Sequence, residues 1–312
     1  IFEQAAWPEK ITLRRLRPYY KVAADMLGAN AINPAGDRDI PKRTQVFEDA
    51  VASISRRAER VPICVRLSGN SENHQSCCNH CGNCMLGCNL HAKNTLDFNY
   101  ISLAEDLGAL VLPLHKALNI KPRAQGYSVT CQHLASAPAD ASQVTLKTFY
   151  TSQVIVAAGT LGSNELLLRC KHQSRTLPDI SDRLGKNFSS NGDFLFAGTR
   201  YAQRVVEPGR GPSITAGVGF RKNKNQYIYI EDLGYPDPFI WYLNGIIQTR
   251  GRVTKLLHQT HKYISDVFGK GLKFELEGLF EDGFLTTFLP YLGMGTDAAN
   301  GTLKLNRRGE LR

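Results

Sequence analysis

Five of the chain's eight cysteines fall within CCNHCGNCMLGC, Cys77 to Cys88. The spacing Cys78-x2-Cys81-x2-Cys84-x3-Cys88 matches the first run of a bacterial ferredoxin, where closely placed thiolates wrap one face of an iron–sulfur cluster. Those four residues are the candidate cluster ligands. Asn89 stands where a proline usually follows, and there is no second run. His74, His80, His91 and Cys77 are alternative ligands, so zinc, free structural thiols and local disulfides stay open beside the cluster. Cys64, Cys131 and Cys170 lie in apolar segments and read as small buried hydrophobes.

A second stretch with chemical potential is TSQVIVAAGTLGSNELLLRC. Val154 to Ala158 form an apolar run suited to a buried parallel strand. Gly159 to Gly162 make a tight turn, and a helix starts at Ser163. The unpaired N–H groups and partial positive charge of such a helix start suit an anion. An ordinary strand-to-helix connection explains the same residues.

These segments need a scaffold. Residues 13–28 have helical apolar spacing, with Pro18 marking the start of the regular part and Gly28 the stop. Residues 44–59 predict a second helix, and VPICVRL a strand. Asn94 to Leu107 predicts a helix closed by Gly108. ALVLPLHKALNIKPR, YSVTCQHL and VTLKTFY read as successive antiparallel strands. From Asn191 onward, DFLFAGTRY, SITAGVGFR and QYIYIEDL are half-apolar strands. FIWYLNGII, RVTKLLHQTHKYISDVF and FLTTFLPYLGM read as more helical. A domain boundary falls near residue 190.

The chain has 312 residues, 42% of them hydrophobic, enough for a sizeable core. Its net charge of +10 suits an acidic partner surface, but the basic residues are spread out, which argues against nucleic acid. No window approaches the ~18 uninterrupted apolar residues of a membrane span. Clustering of the cysteines in one loop, not spread as in a secreted disulfide scaffold, predicts a cytoplasmic protein.

The string GCNLHAKNTLDFNYISLAEDLGALVLPLH continues the cysteine loop. With LRPYYKVAADMLG, VIVAAGTLGSNELLLR, LGKNFSSNGDFLF, GPSITAG, YIYIEDLGYP and GMGTDAANGTLKL, it resembles the glucose-methanol-choline (GMC) flavoprotein oxidoreductases, in their cholesterol-oxidase-like and long-chain-alcohol-oxidase-like branch. The strings occur in family order from residue 16 to residue 305.

The resemblance implies an FAD enzyme that oxidises the CH–OH group of a bulky apolar alcohol, taking the hydroxyl proton and passing a hydride to flavin N5. It implies an α/β plus α+β fold. Residues 1–190 would form a partial Rossmann-type FAD domain holding the cysteine loop, and residues 191–312 a partial substrate domain on an antiparallel sheet. Gly159, Thr160, Gly162 and Ser163 would approach the FAD, Ala117 its adenosine end, and Asn191, Gly192 and Asp193 the flavin. Glu231 would face the substrate as catalytic carboxylate, and an apolar pocket would raise its pKa toward neutrality. Phe239 to Leu243 would line or cover that pocket. The implied partners are a small apolar alcohol and, transiently, the membrane surface it is extracted from. A related flavin dehydrogenase branch places an iron–sulfur cluster at such a cysteine loop, and an electron-transfer module built on Cys78–Cys88 is the alternative function.

The chain departs from the family pattern. No G-x-G-x-x-G follows an opening strand, so the first βαβ unit is missing. No HPLGG-like segment carries a catalytic histidine. The expectation is an internal fragment, inactive alone.

Overall fold

The computed structural model describes residues 8–32, 40–69, 75–134, 145–201, 204–223, 226–236, 238–239 and 286–312. In chain order the elements are α1 (Leu13–Met26), α2 (Lys42–Ser53), β1 (Glu59–Arg60), α3 (Tyr100–Asp106), β2 (His115–Pro122), β3 (Tyr127–His133) and β4 (Leu146–Thr151). There follow α4 (Gly159–His172), β5 (Lys186–Phe188), β6 (Phe194–Arg200), β7 (Ala216–Asn223), β8 (Gln226–Asp232), β9 (Phe288–Gly295) and β10 (Gly301–Thr302). They group into two compact units, residues 1–103 with 193–296, and residues 104–192 with 297–312.

The first unit is built on a five-stranded antiparallel sheet in the order β1-β7-β8-β9-β6. Helix α2 covers one face. Val46, Phe47 and Val51 recur at helical spacing and bury against Ala216, Val218 and Leu289, with Ile230 and Tyr291 at the margin. A second cluster joins Ile32, Val65, Leu67 and Ala92 to Cys78, so the cysteine loop is packed into a small core of its own. Helix α1 is capped by Thr12, whose hydroxyl accepts from the Arg15 N–H, and it contains Pro18 instead of starting there. A proline six residues in forfeits one backbone bond, and the cap upstream sets the boundary instead.

The second unit holds a three-stranded antiparallel sheet, β2-β3-β4, and the short pair β5-β10. Helix α4 packs on β2, burying Leu168 and Cys170 near Ile120, whose N–H donates to Cys170 Sγ at 3.3 Å.

Several expectations are corrected. Val154 to Ala158 belong to no strand, Ile155 is 89% exposed, and every ladder among the described residues is antiparallel. A strand needs a partner, and no described segment pairs with this run. VPICVRL makes only isolated bridges, Ile63 to Asn30 and Val65 to Lys93. Residues 44–59 are helical only to Ser53, and the Asn94–Leu107 helix shrinks to a 3-10 turn at Leu96–Phe98 followed by α3. FLTTFLPYLGM supplies strand β9, an interior strand of its sheet between β8 and β6. RVTKLLHQTHKYISDVF and residues 240–243 of the aromatic stripe lie outside the described residues.

Candidate functional site

Strand β8, QYIYIED, alternates across its sheet. Ile230 turns toward α2 and joins the core there. Asp232 points the same way and is fully buried. Its carboxylate accepts from Arg43 Nε at 2.9 Å, Thr44 Oγ1 at 3.1 Å and Thr215 Oγ1 at 2.6 Å. The backbone N–H groups of Thr215 and Ala216 add bonds of 2.7 and 2.8 Å. Arg43, also fully buried, spends its other nitrogens on the carbonyls of Arg210 and Pro212. This clamp ties the start of α2 to the end of β8.

Glu231 therefore faces the other way. It is 8% exposed, and among the described residues no side chain or N–H donates to its carboxylate. Burial raises its pKa above the ordinary glutamate value, and the charges of Asp232 and Asp193 raise it further. Among the flanking residues of β8, Tyr227 and Tyr229 share its face, and Ile228 and Ile230 alternate to the opposite one. The glycines of β7 let the rings lie flat. A Cβ at Gly217 would meet the Tyr229 ring at 2.5 Å, and one at Gly219 would meet the Tyr227 hydroxyl at 2.4 Å. Leu292, opposite Glu231 on β9, completes an apolar surround.

In the second unit, Gly159 opens α4 at φ +68°. The preceding residue, Ala158, offers no side-chain cap, and no acidic residue sits in the first turn. Ser163 Oγ accepts from the Ala158 N–H at 3.1 Å. Gly162 faces Ala158 Cβ, with a built Cβ only 3.1 Å away. Thr160 is exposed beside it. Arg169, Lys171 and His172 at the far end complement the helix dipole, so the start is the anion-seeking end. Ala117 lies on β2, opposite Cys131.

Asn191 and Gly192 occupy a turn with φ of +63° and +56°. What holds that turn is a residue the sequence reading missed. Asp297 accepts from Ser189 Oγ at 2.8 Å, from the Ser190 N–H at 3.0 Å and from the Ala299 N–H at 2.9 Å. The Ser189 bond leads in pulling its pKa below the usual aspartate value. Asp193 belongs to the first unit, where its charge reaches Glu231.

All eight cysteines are free thiols. Cys78, Cys81, Cys84 and Cys88 line one cavity of about 10 Å³, closed by Val65, Leu90 and Ala92. That is room for about one water molecule and not for a cubane cluster. Burial pushes the Cys78 thiol up to about 11 and raises Cys84 as well. Among the described residues, no group of three or more His, Cys, Asp or Glu is placed to hold a metal ion, and His74 lies outside them. The four thiols share a cavity, yet as arranged they do not fit the candidate cluster.

Gly82 seats this loop. At φ +75° it packs against Gly209, where a Cβ would come within 2.0 Å of the carbonyl oxygen. The neighbouring His80 carbonyl accepts from the Gly211 N–H at 2.9 Å. The variant Gly82→Ala is expected to loosen the loop and speed alkylation of Cys78 about tenfold, the factor that ~1.4 kcal/mol of lost local stability gives. Mass-resolved thiol labelling checks it.

The GMC oxidoreductase family model matches residues 23–191, more than half of the chain. The chain belongs to the GMC oxidoreductases, a flavoprotein family. Among curated proteins, the cholesterol oxidase of Acinetobacter baumannii is 35% identical over 147 residues, 45% of this chain and 25% of that protein. Cholesterol oxidase of Mycobacterium tuberculosis, strain CDC 1551 / Oshkosh, is 34% identical over 143 residues, 45% of this chain and 24% of its own length. The chain thus spans about a quarter of the curated relatives it matches.

Proposed function

We propose that this polypeptide is part of an FAD-dependent oxidoreductase that oxidises the CH–OH group of a bulky apolar alcohol, a sterol or a long-chain alcohol. One observation carries the reading: a buried carboxylate, Glu231, with a raised pKa, on a sheet face of two tyrosines and a leucine. Likeness to cholesterol oxidases supports the substrate class.

In this reading Glu231 takes the proton of the substrate hydroxyl. A raised pKa makes it a stronger base than a solvated carboxylate, and its proton affinity moves toward the working pH. Tyr227, Tyr229 and Leu292 hold the apolar body of the alcohol. The start of α4, with Gly159, Thr160, Gly162 and Ser163, is uncapped by side chains and free of acidic residues, which suits the phosphates of FAD. Ala117 belongs to the adenosine side, and the Asp297-held turn at Asn191 and Gly192, followed by Asp193, to the flavin side. FAD, when bound, supplies the hydride acceptor.

The partial Rossmann-type character of residues 1–190, and a substrate domain at 191–312, belong to the same proposal. So does a transient membrane-surface contact, for which the net charge of +10 is favourable. No helix among the described residues is long and apolar enough to cross a membrane.

The test uses the enzyme of which this polypeptide is part: with FAD added, cholesterol or a long-chain primary alcohol is supplied without oxygen, and the oxidised-flavin absorbance is followed. Bleaching by either alcohol is the expected result. Flavin that fails to bind, or stays oxidised with both, overturns the reading.

A further inference from the structure

A base that takes a proton in a buried site must return it to water before the next turnover. Glu231 is buried, and no described residue bonds to its carboxylate. The strand register shows where the proton can go. Gly217 of β7 is paired with Glu231 of β8 on one side and with Glu59 of β1 on the other. Directly paired residues of antiparallel strands project to the same face. The two glutamates therefore flank a position that has no side chain.

The Tyr229 ring fills that gap. Its hydroxyl oxygen lies 2.6 Å from where a Gly217 Cβ would sit, which places it between the two carboxylates. Glu59 itself is exposed, at the edge strand of the sheet. Buried acid, hydroxyl and solvent-facing carboxylate thus stand in one row. Both carboxylates act on the hydroxyl: after burial, Glu59 and then Glu231 raise the Tyr229 pKa, which reaches about 12.

We propose that Tyr229 and Glu59 form the proton exit of Glu231. The neutral Glu231 acid gives up its proton toward the Tyr229 oxygen as the tyrosine's own proton passes to the Glu59 carboxylate, and from there to water. Tyr229 ends neutral, one proton has crossed, and no electrons move. No direct hydrogen bond joins the three groups among the described residues, so one bridging water on each side completes the path. Gly217 is required because any side chain there would displace the ring. The inference rests on Glu231 being the base, as proposed above.

The experiment reads the Glu231 titration itself, by NMR of the protein labelled with side-chain carboxyl ¹³C-glutamate, with Glu231→Gln assigning the signal. The charges acting on Glu231 are Asp232, on the opposite face of the strand with Arg43 beyond it, and Asp193, while Glu59 acts on the Tyr229 hydroxyl that lies between. In Glu59→Gln a negative charge is lost, so the Glu231 midpoint should fall by about half a pH unit. In Tyr229→Phe the hydroxyl that reaches the ionised carboxylate through the bridging water is lost while the ring stays, so the midpoint should rise by a similar amount. Both shifts support the relay. A midpoint unmoved in both variants overturns it. A shift in Glu59→Gln alone also overturns it, because that is a field acting through space without the hydroxyl. The outcome is separable from the function: if Glu231→Gln still oxidises alcohol, the base assignment fails whatever the titrations show.

Discussion

Replacing Arg43 by alanine is expected to cost about 3–5 kcal/mol of folding stability, the usual result of breaking one half of a buried ion pair. The Arg43 and Asp232 side chains are both 0% exposed. Without the guanidinium, the Asp232 charge stays buried, and the carbonyls of Arg210 and Pro212 lose their donor. Swapping the whole pair for apolar residues is no remedy here. The N–H groups of Thr215 and Ala216, and two threonine hydroxyls, would then lose the carboxylate that satisfies them. Arg43→Lys keeps the charge but cannot reach three acceptors at once, so an intermediate loss of about 1–3 kcal/mol is expected. Urea unfolding followed by far-ultraviolet circular dichroism measures both. An Arg43→Ala protein within ~1 kcal/mol of wild type would mean that water reaches the clamp.

The clamp also explains what the sequence could and could not disclose. Alternation in QYIYIED is visible by eye, and it requires Glu231 and Asp232 to face opposite ways. Arg43, 189 residues from Asp232, is invisible to any local pattern. Nothing near Asp297 announces that it holds the turn at Asn191 and Gly192, because its partners lie about a hundred residues upstream. Long-range polar pairing of this kind has no periodicity to read.

Apolar runs mislead for a different reason. FLTTFLPYLGM reads as helical, yet Phe288–Gly295 is a strand flanked by β8 and β6. Where both faces of a strand are covered, the two-residue alternation disappears, and a short apolar run fits either structure. Val154–Ala158 errs in the opposite direction. Its residues suit a buried strand, but pairing depends on a neighbour that the run itself does not encode. The cysteine spacing was legible as a shared loop, and the four thiols do meet at one cavity. Their packing, which keeps the cavity small and raises the Cys78 and Cys84 thiols, depends on Val65 and on the segment around Gly209, both distant in sequence.

Changing Glu231 to glutamine is expected to lower the rate of flavin reduction by alcohol about 10²–10⁴-fold, the range typical of a lost general base, with substrate affinity little changed. The amide keeps the size of the acid but cannot accept the hydroxyl proton. In the unaltered protein the same rate should fall as the pH drops through the Glu231 pKa, and because that pKa is raised, the fall should come at a higher pH than for a solvated glutamate. Stability should move the other way. A carboxyl whose folded pKa lies above its unfolded value contributes stability that is fully present below the unfolded value and is lost as the pH rises through the folded one. At neutral pH the ionised Glu231 is therefore a burden on the fold, and Glu231→Gln should unfold at a higher urea concentration than the parent. The advantage should shrink toward zero in acid, where both side chains are neutral. A variant that is slower and at the same time more stable is the signature of a carboxylate kept buried for its chemistry. A variant that is slower and less stable would instead point to a structural acid, and the base would have to be sought elsewhere on this sheet face.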